Sequence, residues 1–188
     1  MKKFFIILAI LCSLIGAFII TSCGERVEVP TAHVGKIKTA SGLQKGLKYP
    51  SAFRLPYSFF VKNELVLVET SHFPVKESIK LFMPKDKLNL TFEVRGTMFI
   101  SPEKSEELFD KMTAKPAGGR VLVISSGKVY STYGQQLIRS KVRSIVSRYS
   151  IPELMEQRET INTELVKEIK EVLPRILWSG FELVDWMC

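Results

Sequence analysis

Residues 139–165, RSKVRSIVSRYSIPELMEQRETINTEL, decide how the rest of the chain is read. Val142, Ile145, Val146 and Tyr149 continue the three- and four-residue spacing begun by Leu137 and Ile138. That spacing predicts a helix from Gln135 with one apolar face, bearing Arg139, Lys141, Arg143 and Arg148 among its polar positions. Ser150-Ile-Pro-Glu153 then fits a capping box, with serine at the N-cap and glutamate at N3. Pro152 is tolerated there because the amides of a first turn have no intrahelical partners. The helix that follows carries Leu154, Ile161, Leu165, Ile169, Val172, Leu173 and Ile176 along one face. Pro174 removes the bond to the carbonyl of Lys170 and is expected to kink or end it. Gly180 is a natural stop, and Phe181 to Trp186 alternates as a closing strand.

Toward the N-terminus the period falls to two. Residues Thr31 to Arg95 read mainly as strands: Val34 to Lys38 alternates, Ser41-Gly42 turns the chain, and Pro50 and Pro56 bracket a short extended piece. Phe59–Glu69 and Leu88–Ile100 are the two best candidates. In the second, Leu88, Leu90, Phe92 and Val94 share one face opposite Asn89, Thr91, Glu93 and Arg95, after a turn at Pro84-Lys-Asp-Lys87. Glu103–Met112 predicts an amphipathic helix, with Leu108 and Met112 at i, i+4 spacing. Ala114–Arg120, with Pro116, Gly118 and Gly119, reads as a loop, and Val121–Ile124 as a short strand. The fold class is α+β: an antiparallel-rich sheet followed by helices and a closing strand.

The first two dozen residues differ in kind. Lys2 and Lys3 precede an uncharged apolar run, Phe4 to Ile20, that ends in Ile20-Thr-Ser-Cys23-Gly24. A charged start, an apolar stretch and small residues before a break describe a secretory signal. The last positions resemble the lipobox of bacterial lipoproteins, which implies lipid attachment at Cys23 and cleavage just before it. The alternative is an uncut signal anchor, although seventeen helical residues span only about 25 Å against a hydrocarbon core of about 30 Å. Both place the protein at a membrane, on the extracytoplasmic side of a bacterial envelope if lipidated and as a single-pass N-terminal anchor otherwise. Residues 1–22 are therefore read as signal peptide or membrane anchor, and 23–30 as a tether.

Cysteine usage offers no disulfide framework: Cys12 lies in the apolar run, Cys23 would carry lipid, and Cys188 is left without an intramolecular partner. Formal net charge is +8, falling to +6 without Lys2 and Lys3. The excess is local. Between Asp110 and Glu153 there is no acidic residue, while Lys111, Lys115, Arg120, Lys128, Arg139, Lys141, Arg143 and Arg148 all fall there. Such a block suits a solvated helix face, an acidic protein surface or lipid head groups; export argues against nucleic acid. No catalytic or metal constellation is legible. His33 and His72 have no cysteine at ligand spacing, there is no HExxH or G-x-S-x-G, and Ser125-Ser-Gly-Lys128 lacks the glycine of a P-loop and reads as a turn. No cofactor is expected. Glu103, Glu106 and Glu107 sit among lysines on an exposed-looking helix, and Trp178, Phe181 and Trp186 are read as core, with a partner surface as the alternative.

The stretch quoted first resembles the helical half of SPFH/band 7 domains, the stomatin–prohibitin superfamily: an arginine-flanked helix, then an arginine–glutamate pair at Arg158-Glu159, a long helix, and a glycine-led strand matched by Gly180-Phe-Glu-Leu-Val184. Pro30 to Gly42 and Tyr49 to Pro56 resemble the opening strands, although Tyr49-Pro50-Ser51 departs from the usual proline–glycine and residues Lys115–Ser131 look inserted or divergent. The resemblance makes residues 31–188 the SPFH/band 7 domain. It implies a non-enzymatic membrane scaffold that homo- or hetero-oligomerises, organises lipid, and in some bacterial members restrains a membrane-bound AAA-type protease. Family members usually continue into a coiled coil that drives ring assembly; here the sequence reaches Trp186-Met-Cys188, so either it is a fragment or the globular part assembles alone. Arg139, Lys141, Arg143 and Arg148, with Glu153, Glu156 and Glu159 opening the next helix, are the expected contacts to a partner or to head groups, unless they pair within one chain. A monomeric envelope lipoprotein that binds a ligand or protein is the alternative function, and a hydrolase with unrecognised residues a remote third.

Overall fold

The computed structural model describes residues 24–58, 61–173 and 182–187, with the side chains of 57, 58, 61 and 182–187 excepted. Cys23, the apolar run before it, Pro174, Trp178 and Phe181 lie outside the described residues. The chain forms two compact units, one made by the residues up to Leu67 with Thr113–Val123, the other by Val68–Met112 with the residues from Ile124 onward.

In the first unit the stretch expected to be a tether is a strand. β1 (Glu25–Val29) pairs antiparallel with β4 (Ser51–Leu55), from Glu25↔Leu55 to Val29↔Ser51. The physical reason is alternation: Val27 and Val29 turn inward while Glu25, Arg26 and Glu28 stay exposed. β2 (His33–Thr39) turns through residues 40 and 41 into β3 (Gly42–Leu43), and β5 (Tyr57–Ser58) pairs with β6 (Val61–Lys62). β7 (Glu64–Glu69) crosses the boundary into the second unit and is central to a five-stranded sheet ordered β10-β11-β7-β2-β3. Leu65, Val66, Leu67 and Val68 are all buried, as a strand covered on both faces requires. Val27, Val29, Ile37, Leu55, Leu65 and Leu67 form the core here. Gly35 admits this packing because a Cβ there would stand 3.0 Å from Leu65 Cδ1 and 3.1 Å from Leu67 Cδ2.

Lys115–Gly118, expected as part of a loop, is strand β10, paired antiparallel with β11 (Val121–Ile124). The residues that suggested a loop have positional uses instead. Pro116 sits on an edge strand, the pairing slips between Pro116 and Gly118, and Gly118 and Gly119 supply positive φ (145° and 53°) for the reversal.

The second unit is built on one long hairpin. β8 (Phe73–Met83) pairs with β9 (Leu88–Met98) without a bulge, from Phe73↔Met98 to Met83↔Leu88, around the expected turn at residues 84–87. Val75, Ile79, Leu81 and Met83 of β8, with Phe92, Val94 and Met98 of β9, face the core. Leu88, at the tip, is 57% exposed, so the apolar alternation of β9 becomes burial only from Phe92 onward. The closing strand, β12 (Glu182–Met187), pairs on the other side of β9, giving the order β12-β9-β8.

A 3₁₀ turn (Pro102–Lys104) leads into α1 (Glu106–Lys111), which buries Leu108 and Phe109 rather than Leu108 and Met112. Helix then begins earlier than expected. α2 (Ser126–Val129) starts where a turn was read, because the Glu69 carboxylate accepts from both the amide (3.1 Å) and the hydroxyl (3.0 Å) of Ser126 at the helix N-terminus. A π-helical turn (Tyr130–Gly134) joins it to α3 (Gln135–Val146), which buries Ile138, Val142, Ile145 and Val146. The capping box forms as expected at the head of α4 (Ile151–Glu156). The helix beyond is divided at Gln157, whose φ of −104° and ψ of 27° leave the helical region, before α5 (Arg158–Val172) buries Ile161, Leu165 and Ile169. α3 packs on both β8 and α5.

Candidate interaction surface

Three of the four basic residues expected to meet a partner are engaged inside the second unit. Arg139 Nε donates to Glu77 Oε2 at 2.6 Å, and Glu77, on the apolar face of β8, is only 3% exposed. The other carboxylate oxygen accepts from Tyr130 Oη at 2.7 Å and Gln135 Nε2 at 2.9 Å. The π turn explains the convergence: it stacks residues five apart, so Tyr130 and Gln135 share a side, and one further α turn adds Arg139. Both carboxylate oxygens are bonded and one donor is a guanidinium, which is what a buried charge requires. Burial, and then the bond to Glu77, push the Tyr130 hydroxyl far above the ordinary tyrosine range.

Lys141, on α3, and Arg148, just past its end, both pair with α5. Lys141 Nζ lies 2.6 Å from Glu168 Oε2, and Arg148 Nη1 lies 3.2 Å from Glu164, which also accepts from Tyr149 Oη at 2.6 Å. The Lys141 hydrogen bond lowers the Glu168 pKa, and the Glu164 bond raises that of Tyr149. Arg143 is exposed and joins no ion pair among the described residues.

Of the acidic residues, Glu153 is also engaged. Its Oε2 accepts from Lys85 Nζ at 2.9 Å and from the Ser150 amide at 2.6 Å, and its own amide donates to Ser150 Oγ at 3.4 Å. Lys85 first, then the Ser150 amide and hydroxyl, hold its pKa at about 2. Asp86, beside Lys85 in the hairpin turn, accepts from the Ile151 amide at 2.7 Å. The turn of the β8–β9 hairpin thus satisfies the start of α4. Glu156 and Glu159 remain exposed, next to Met155 at 66% exposure.

Arg143 opens onto a groove of about 510 Å³ between β8 and α3, lined by Lys80 and Phe82 of the strand and Ser140, Arg143, Ser144 and Ser147 of the helix. Lys80 likewise joins no ion pair among the described residues. Phe82 is 56% exposed. Neither Glu77 nor this groove was singled out from the sequence, yet β8 carried a signal for the first: Val75, Glu77, Ile79, Leu81 and Met83 share one phase, and a charge in an apolar phase asks for a partner. Among the described residues no group of three or more His, Cys, Asp or Glu could hold a metal, and no helix is long and apolar enough to cross a membrane. His72 is exposed at 4.7 Å from the Phe99 ring, and His33 lies on β2, its Nδ1 3.0 Å from the Thr31 carbonyl.

A family model described as SPFH domain / Band 7 family matches residues 27–178. No curated protein matches the chain.

Proposed function

We propose, because this chain belongs to the SPFH domain / Band 7 family, that it is a membrane-anchored oligomeric scaffold. Members of the family are in general membrane-associated scaffolds rather than enzymes. The observation that carries the reading is the extent of the match. It runs from within β1 to beyond α5 and so rests on the order of many elements, not on one short motif.

The anchor in this reading is the apolar N-terminal segment, with lipid on Cys23. Contacts between protomers fall to exposed groups such as Glu156 and Glu159, since Arg139, Lys141 and Arg148 have partners in their own chain. Each exposed contact would be worth only about 0–1 kcal/mol, so assembly needs many of them or the concentrating effect of a shared membrane. A scaffold of this kind organises lipid or restrains a membrane-bound AAA-type protease. The internal pairing of three basic residues favours one other reading, a monomeric envelope lipoprotein that binds a ligand or protein.

The test is the native mass of the full-length protein, gently extracted from membranes, by size exclusion with light scattering. A many-subunit species supports the scaffold, and co-purification of an AAA-type protease would extend it. A detergent-bound monomer overturns it in favour of the binding lipoprotein. Cys23→Ser is expected to abolish incorporation of labelled fatty acid; unchanged labelling removes Cys23 as the attachment site.

A further inference from the structure

We propose that the open edge of β8 beside α3 docks an extended, acidic segment of a partner protein, which adds to the hairpin sheet as a further strand. This stands on the strand edge and does not depend on the scaffold reading.

The direction of the backbone groups comes first. Met83 O accepts from the Lys87 amide at 2.8 Å, so the polar groups of Met83 face into the hairpin. In a strand the N–H and C=O of one residue point the same way, and successive residues alternate. The bulge-free register carries that parity along all of β8. Glu77, Ile79 and Leu81 therefore bond toward β9, while Ser78, Lys80 and Phe82 point their amides and carbonyls outward. Pro74 belongs to the outward set, where its missing N–H breaks no ladder bond. No described strand pairs with this edge.

The groove lies along the same edge, at Lys80 and Phe82. An added strand would sit between a sheet edge and a helix, with main-chain bonds supplying affinity and side chains supplying selection. The chemistry on its two sides is cationic. Lys80 stands on the outer face of β8, whereas Arg143 rises from α3, which packs on β8. Consecutive residues of an added strand face opposite sides, so one carboxylate meets Arg143 and its neighbour meets Lys80. Phe82 offers apolar cover further along, and serine hydroxyls line the helix side. The groove-lining residues include no acidic side chain. An extended segment with adjacent acidic residues flanked by aliphatic ones is the complementary occupant.

The probe is a fluorescein-labelled nonapeptide of alternating Val and Glu-Glu units, titrated by anisotropy against the full-length protein in detergent at low salt. Two controls are its lysine counterpart and the same acidic peptide N-methylated at alternate amides. Saturable binding of the acidic peptide is expected, weakened by roughly tenfold or more by Arg143→Glu, by Lys80→Glu and by N-methylation. Both substitutions are at exposed positions, and an unchanged unfolding midpoint confirms that the variants are folded. Equal binding of the N-methylated peptide overturns strand addition, and absence of saturable binding overturns the groove as a peptide site. Concentration-dependent self-association lost in Arg143→Glu would overturn a partner segment in favour of a second copy. Anionic vesicles bound through the same two residues, without peptide binding, would assign the groove to lipid.

Discussion

At Glu77 strand β8 is closed, and three residues further along, at Lys80, it is open. At Glu77 a charge points into the core, and Tyr130, Gln135 and Arg139 converge on its two oxygens. At Lys80 the same strand meets the same helix, but the facing arginine, Arg143, joins no ion pair among the described residues, and both cations are exposed. Arg139 and Arg143 are one helical turn apart and chemically identical. The difference lies in what the strand presents: at Glu77 a carboxylate that Tyr130 and Gln135 also bond, at Lys80 a second cation, with no acidic residue in the groove lining. A buried charge must be fully satisfied by its own chain, so its partners become fixed structure. An exposed charge costs little to leave unpaired, which keeps it available for association.

The comparison breaks most visibly at its closed end. Arg139→Ala would leave Glu77 buried without its counter-charge and is expected to cost about 3 kcal/mol in urea unfolding. A loss near zero would mean that Tyr130 and Gln135 suffice. Tyr130→Phe removes one hydrogen bond to the same carboxylate and should cost about 2 kcal/mol. The hairpin turn lies between the extremes: Ser150→Ala, which removes the cap, is expected to cost about 1 kcal/mol. The stability that Glu153 contributes there is present above the ordinary glutamate value of 4.5 and is lost as pH falls toward about 2. An acid titration of Glu153→Gln should therefore show a shallower loss across that window. At the open end, Arg143→Ala and Lys80→Ala should change stability by no more than about 0.5 kcal/mol.

What was legible in the sequence follows from the range of the forces involved. α3, the capping box and β9 were readable because hydrophobic period and capping are local; Ser150 and Glu153 are three residues apart. The early start of helix at Ser126 depends on Glu69, fifty-seven residues away. The use of Arg139 depends on Glu77, sixty-two residues away. β10 was hidden by Pro116, Gly118 and Gly119, whose composition says loop and whose edge position says strand. The tether that proved to be β1 did alternate, but five residues without a visible partner gave no reason to pair them with Ser51–Leu55. The groove follows from how strand edge and helix come together, which no single segment records.

The start of β1 at Glu25 sets a mooring length. Two residues of fully extended chain reach only about 7 Å. A lipid on Cys23 would hold the first strand on a line about as long as the headgroup layer is deep, not on a leash that lets it roam. The unit that contains β1 would then lie berthed against the bilayer, its exposed Arg26 near the phosphates. Lengthening that line by inserting about ten Gly/Ser residues after Gly24 would give it roughly 17 Å of slack.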